Sequence, residues 1–191
     1  MSLVELIAQA DERGLAVTGL ACLDRCVPLL GAEDDDILRP LWGSLSEGGP
    51  EWGECLDRAR AALPAGPGDG AGPGDDADGP AGLAHRMLAA APGTPSAPAL
   101  REWADACSVG ALRIHRMLDP LADGAGSVTS RREGRTEGMS PLVAAELRRQ
   151  VQILELLATH GANGLRPALD MTTEGRRVLR AVVSRRARSR V

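Results

Sequence analysis

The chain contains no Phe, no Tyr and no Lys; all 22 basic residues are Arg, and three Trp are its whole aromatic complement. Codons for Phe, Tyr and Lys are AT-rich, so their absence beside abundant Ala, Gly, Pro and Arg marks a high-GC genome. A core without Phe or Tyr is filled by Leu, Val, Ile, Met, Ala and Trp, which suits helices packed at short distances. Scarce aromatics also argue against modules that stack the bases of single strands. No stretch approaches the roughly 18 apolar residues that a membrane-spanning helix needs. The start, SLVELIAQADERG after Met1, lacks the basic opening of a signal peptide. The expectation is a soluble, cytoplasmic protein with no membrane partner, its four cysteines reduced.

Among the features that are present, an apolar share of 43% over 191 residues is ordinary for a globular protein of one domain. The distribution of charge is not ordinary. Residues 1–64 carry a net −7, residues 65–81 a further −4, residues 82–125 balance, and residues 126–191 carry +7. Such asymmetry points to an anionic partner for the basic end, or to two ends that attract each other within one fold.

Apolar spacing is helical almost throughout. Leu3, Leu6, Ile7 and Ala10 predict a first helix that Gly14 ends; Leu20, Leu23, Val27 and Leu30 predict a second, ended or kinked by Pro28. Asp34, Asp35 and Asp36 open a third over Ile37–Leu45, where a helix dipole favours anions, and Pro50 starts a fourth over Trp52–Leu63. Leu83, Met87 and Leu88 mark a fifth, and Leu100, Trp103, Cys107, Ala111, Ile114 and Leu118 a long sixth, ended by Pro120. Residues 123–139 read as a polar, Gly-rich loop. Ser140 and Pro141 then start a helix with the stripe Val143, Leu147, Val151, Leu154 and Leu157, capped by Gly161. Ala168–Met171 reads as a short strand, and Thr172 or Thr173 opens the last helix. The fold class is all-α, an irregular bundle of about seven to eight short-to-medium helices with a Gly/Pro/Asp-rich flexible insertion. PAGPGDGAGPGDDADGPAG, from Pro64 to Gly82, has no apolar residue larger than Ala or Pro. One domain over 1–191, interrupted by a flexible linker at 65–81, is the expected organisation. The alternative is an acidic helical domain at 1–64 and a basic one at 82–191.

Few residues combine into a recognisable chemistry. His-Arg-Met-Leu occurs at His85–Leu88 and again at His115–Leu118, 30 positions later. Both copies read as solvated His and Arg beside core Met and Leu. Cys22 and Cys26 lie four apart but lack a second pair of zinc ligands, so no metal is expected. The run Glu33–Asp36 points its carboxylates in different directions and suits helix capping better than Mg²⁺. No nucleophile–base pair and no phosphate loop stands out, so no catalytic residue and no cofactor is expected.

Two features favour binding. The apolar stripe Leu100, Trp103, Cys107, Ile114 and Leu118 exceeds what the other stripes need for a core, and reads as a protein-interaction or self-association face. The Arg-rich C-terminus, Arg176, Arg177, Arg180, Arg185, Arg186, Arg188 and Arg190, reads as a site for an anionic partner, with Arg131, Arg132 and Arg135 as further contacts. Within it, MTTEGRRVL at Met171–Leu179 resembles the threonine-x-glycine-arginine junction that starts the helix after the wing in MarR-type winged-helix regulators. That resemblance covers nine residues, and the preceding HGANGLRPALD is too short for a wing. It implies no role for any residue here. The functional expectation is a non-enzymatic protein-interaction or regulatory module; the alternative is a nucleic-acid-binding regulator that uses the C-terminal helix.

Overall fold

Ser2 and Glu5 form a capping box at the start of α1 (Leu3–Gln9): the Glu5 N–H donates to Ser2 Oγ at 3.3 Å and the Ser2 N–H to Glu5 Oε2 at 2.7 Å. The computed structural model describes residues 1–191 except 33, 65, 67–77, 122, 190 and 191. In it follow α2 (Glu12–Arg25), α3 (Arg39–Ser44), α4 (Trp52–Ala62), α5 (Pro80–Ala89) and α6 (Ala97–Leu118). Then come α7 (Val128–Arg132), α8 (Pro141–His160) and α9 (Leu165–Arg188). Short 3-10 turns occupy Val27–Leu29 and Gly161–Gly164. Among the described residues there is no strand, and the class is all-α. The expected insertion at 65–81 falls mostly on 65 and 67–77, outside the described residues.

Asp11 accepts the Gly14 N–H at 2.7 Å and starts α2, so the first helix stops at Ala10 and Gly14 lies inside the second. Every residue from Gly14 to Arg25 is buried, as befits a helix surrounded by others. α6, α8 and α9 all pack against α2. α2 and α6 approach closely at Gly19, where a Cβ would lie 2.5 to 2.9 Å from the Trp103 indole of α6. Only glycine lets the two helices meet there.

The three Trp residues pin the remaining elements. Trp103 donates its Nε1–H to the Met87 carbonyl at 2.9 Å, tying α6 to α5, and Trp52 of α4 donates to the Pro92 carbonyl at 2.7 Å. The two rings meet edge to face with centroids 5.8 Å apart. Trp42 of α3 donates to Asp24 Oδ2 of α2 at 2.7 Å. One hydrophobic cluster runs from Leu3 to Leu179 and draws on helices before and after the insertion.

Several elements differ from their sequence expectation. Leu100, Trp103, Cys107, Ile114 and Leu118 are buried, none more than 6% exposed, so the stripe is a core seam and not an open interaction face. The expected surplus of apolar surface is absorbed by α2, which presents apolar residues on all sides. Asp34–Asp36 precede α3 instead of opening it, and α4 starts at Trp52 with Glu51 at its N-cap. The expected loop 123–139 contains α7. α9 runs unbroken from Leu165, so Ala168–Met171 is helical and Thr172 does not start a helix; its hydroxyl donates to the Ala168 carbonyl at 2.8 Å. Met171–Leu179 is therefore mid-helix, with no wing before it, and the likeness to a MarR-type junction is confined to sequence.

Candidate functional site

A charged network lies inside the bundle, on α2, α6, α7 and α8. The Arg25 guanidinium grips Glu146 with two bonds, Nε to Oε2 at 2.8 Å and Nη2 to Oε1 at 2.5 Å, and both side chains are fully buried. His115 brings Nε2 to 3.5 Å from Glu146 Oε2 while Nδ1 lies 2.7 Å from the Ala111 carbonyl. Gln150 donates to Glu146 Oε1 at 2.8 Å, Ser108 donates to Gln150 Oε1 at 2.6 Å, and Arg132 donates to Ser108 Oγ at 3.1 Å. Arg132 also pairs with Asp105, half-exposed at the end of the chain of bonds. Burial alone would raise the Glu146 carboxyl; Arg25 and His115 overcome it and hold it at about 2. Burial pulls His115 below its ordinary range, against the pull of Glu146. His115 is therefore a core residue with a carboxylate partner, not the solvated position its tetrapeptide suggested. The pair is sealed from any substrate.

The Arg-rich C-terminus divides into two parts. Arg176 points inward: Nη1 donates to Asp24 Oδ1 at 2.7 Å and Nη2 to Asp36 Oδ1 at 3.2 Å. Arg180 pairs with Asp35, so the acidic run closes onto α9. Arg176 thus serves the fold through the buried Asp24, whereas Arg180 and Asp35 pair at the half-exposed surface. Arg177 is exposed beside Glu174 at 3.8 Å. Arg185, Arg186 and Arg188 are exposed, and Arg186 donates to the Met117 carbonyl at the end of α6. Arg190 lies outside the described residues. Of the further arginines proposed for an anion, Arg131 and Arg132 are buried, and only Arg135 faces solvent.

A cleft of about 620 Å³ opens between α5, α6 and the start of α7, and Arg86, Arg113 and Arg116 all line it. Arg86 and Arg116 belong to the two His-Arg-Met-Leu copies, which the fold brings to one place. Each is oriented by a carboxylate: Arg86 Nη2 donates to Asp78 Oδ1 at 3.1 Å, and Arg116 Nε lies 3.5 Å from Asp123 Oδ2. The Asp123 side chain is 2% exposed and accepts the Ser140 N–H at 2.9 Å, so it is itself fixed. Arg131 braces the adjoining turn, donating to the carbonyls of Arg135 at 3.0 Å and Glu137 at 2.6 Å. Arg113 is exposed and has no hydrogen-bond or ion-pair partner among the described residues. Val109, Val128 and Met117 add apolar lining, and Met117 is 42% exposed. Leu121, just past α6, is 59% exposed. The arrangement can hold an anionic group beside an aliphatic one. Arg113 was not legible as a site residue; its only signal is the i, i+3 spacing to Arg116 on the polar side of α6.

All four cysteines are buried, and burial pushes the Cys22 thiol up to about 12, against the charge of Arg25. They behave as small hydrophobes. No family of known proteins matches this chain, and neither a curated protein nor a solved structure is significantly similar to it. No helix among the described residues is long and apolar enough to cross a membrane.

Proposed function

We propose that this protein is a non-enzymatic regulatory module that binds an acidic, partly aliphatic segment of a partner protein in the α5/α6/α7 cleft. The convergence of Arg86, Arg113 and Arg116 on that cleft carries the reading. The buried Asp123 carboxylate holds Arg116 in position, so little of its side-chain entropy is lost when a ligand carboxylate arrives. Exposed Met117, with Val109 and Val128, offers apolar contact beside the charge, a mixture that suits a peptide more than a nucleic acid backbone. All three Trp rings are buried, which leaves no aromatic platform for bases. Binding of a labelled peptide of alternating Glu and Leu tests the reading. Arg113→Glu is expected to weaken it at least about tenfold, since an exposed, unpaired Arg can be reversed without harm to the fold. Absence of binding, or equal binding by Arg113→Glu, refutes it.

A second reading rests on Arg185 and Arg188, which are exposed at the end of α9 without ion-pair partners among the described residues. They would give salt-dependent affinity for phosphate backbones. Retention of the full chain and of residues 1–183 on nonspecific DNA across a salt gradient decides it. Elution of the full chain at distinctly higher salt supports nucleic-acid binding, and elution together rejects it.

A further inference from the structure

We propose that a small monovalent anion of the chloride class binds inside the protein, at the junction of α2, α8 and α9, held by the Nη1 groups of Arg25 and Arg149. Arg25 is 0% exposed. Glu146 engages its Nε and Nη2, and Nη2 also reaches Cys22 Sγ at 3.5 Å, yet its Nη1 has no partner among the described residues. Arg149, one turn beyond Glu146 on α8, is half-buried, and its Nη1 is shut off from solvent and without a partner among the described residues. The two stems cross α9 at one point: a methyl group on Gly175 would overlap Arg25 Cδ and come within 3.1 Å of Arg149 Cδ. Glycine at 175 is what allows both arginines to pack there.

The charges around this point do not cancel. Glu146 neutralises one of the two cations. Glu174, beside Gly175, is largely exposed, lies 3.8 Å from Arg177 and also acts on the Arg149 charge, so it is shared between the two. Asp24 is taken by Arg176 and Trp42, and Asp105 by Arg132. Burial, with the Arg25 charge added, pulls the Arg149 guanidinium below its usual range although Glu146 opposes the shift. Glu146 and Glu174 offset the half-buried Arg149 only in part, and two buried NH2 groups that only donate remain. A bare buried donor costs its full desolvation, more when it is charged. Water would satisfy the donors but bring protons of its own to place and leave the charge uncancelled. A halide accepts from both groups and cancels it. This internal site is separate from the surface cleft and does not depend on the function proposed for it.

Thermal unfolding of the full chain in sodium chloride, sodium bromide and sodium gluconate, at one ionic strength, tests the proposal. Gluconate is too large for a buried site. The midpoint is expected to rise by about 3–6 °C per tenfold increase of halide beyond saturation, and to stay flat in gluconate. Arg149→Met keeps the stem and removes the donor, so its midpoint is expected to ignore halide. Wild-type crystals soaked in bromide are expected to show an anomalous peak beside Arg25 and Arg149, which tests the site even if the variant folds poorly. Equal midpoints in all three salts, a halide effect that survives Arg149→Met, or no bromide at the junction would overturn the proposal.

Discussion

His85-Arg86-Met87-Leu88 near the end of α5 and His115-Arg116-Met117-Leu118 at the end of α6 are identical in sequence and only half alike in surroundings. Leu88 and Leu118 are both buried, and Arg86 and Arg116 reach the same cleft. At the other two positions the copies exchange roles. Met87 is 4% exposed, under Trp103 and against Gly110, whereas Met117 is 42% exposed. His85 is partly exposed, whereas His115 is 1% exposed and faces Glu146. Helical spacing sets Arg and Leu on opposite sides in both copies. Which flank of the Leu is also covered depends on the neighbours: α5 meets mainly α6, while α6 lies against α2, α5 and α8. A histidine turned toward α8 must find a partner there, and Glu146 is that partner.

The comparison breaks most severely at Glu146. Glu146→Ala leaves Arg25 as an uncompensated buried charge and is expected to destabilise the protein by about 3–5 kcal/mol, read as a shift in the urea midpoint. Next comes the methionine pair. Met87→Ala is expected to cost about 2–4 kcal/mol and Met117→Ala no more than about 0.5 kcal/mol, so similar losses would dissolve the contrast.

The histidines separate by pH. Both have folded values lowered by burial from the ordinary 6.5, so the unfolded chain binds more protons and stability falls as pH drops below that value. A second fall begins below pH 4.5 and extends toward about 2, as Glu146 is protonated. His115→Gln is expected to remove most of the upper step in unfolding free energy against pH and to leave the lower one. His85→Gln is expected to change the profile least, because water screens a partly exposed ring. A larger effect from His85→Gln than from His115→Gln would reverse the assignment of the two environments.

Much of the helical framework was legible. The 3- and 4-residue spacing from Leu100 to Leu118 and from Val143 to Leu157 located α6 and α8, and Gly161, with a φ of +52°, caps α8 as expected. α2 was harder, because a helix buried on every side has no polar face to give it a period. The start of α9 was hidden by Pro167 and the polar residues around it, which break the apolar rhythm without breaking the helix. The cleft was not legible at all. Its three arginines come from two helices, and only tertiary packing brings residues 86 and 116 together. Likewise nothing local distinguishes Arg176, which is 6% exposed, from Arg177, which is 75% exposed at its side chain; one step along a helix separates interior from solvent. Arg25 and Glu146 stand 121 residues apart, beyond any pattern that spacing can reveal.

The pairing of Arg176 with Asp24 spans 152 residues, nearly the length of the chain. Until α9 has been made, Asp24 has only the Trp42 indole to accompany it, and α2 lacks the cover that α9 supplies. The central helix is therefore completed by an element that follows it only after a long stretch of chain. Contacts of such separation slow folding, because a long loop must close before they form. A growing chain leaves the flank of α2 that carries Asp24 and Arg25 without its cover until α9 emerges, and that interval exposes the fold to misassembly.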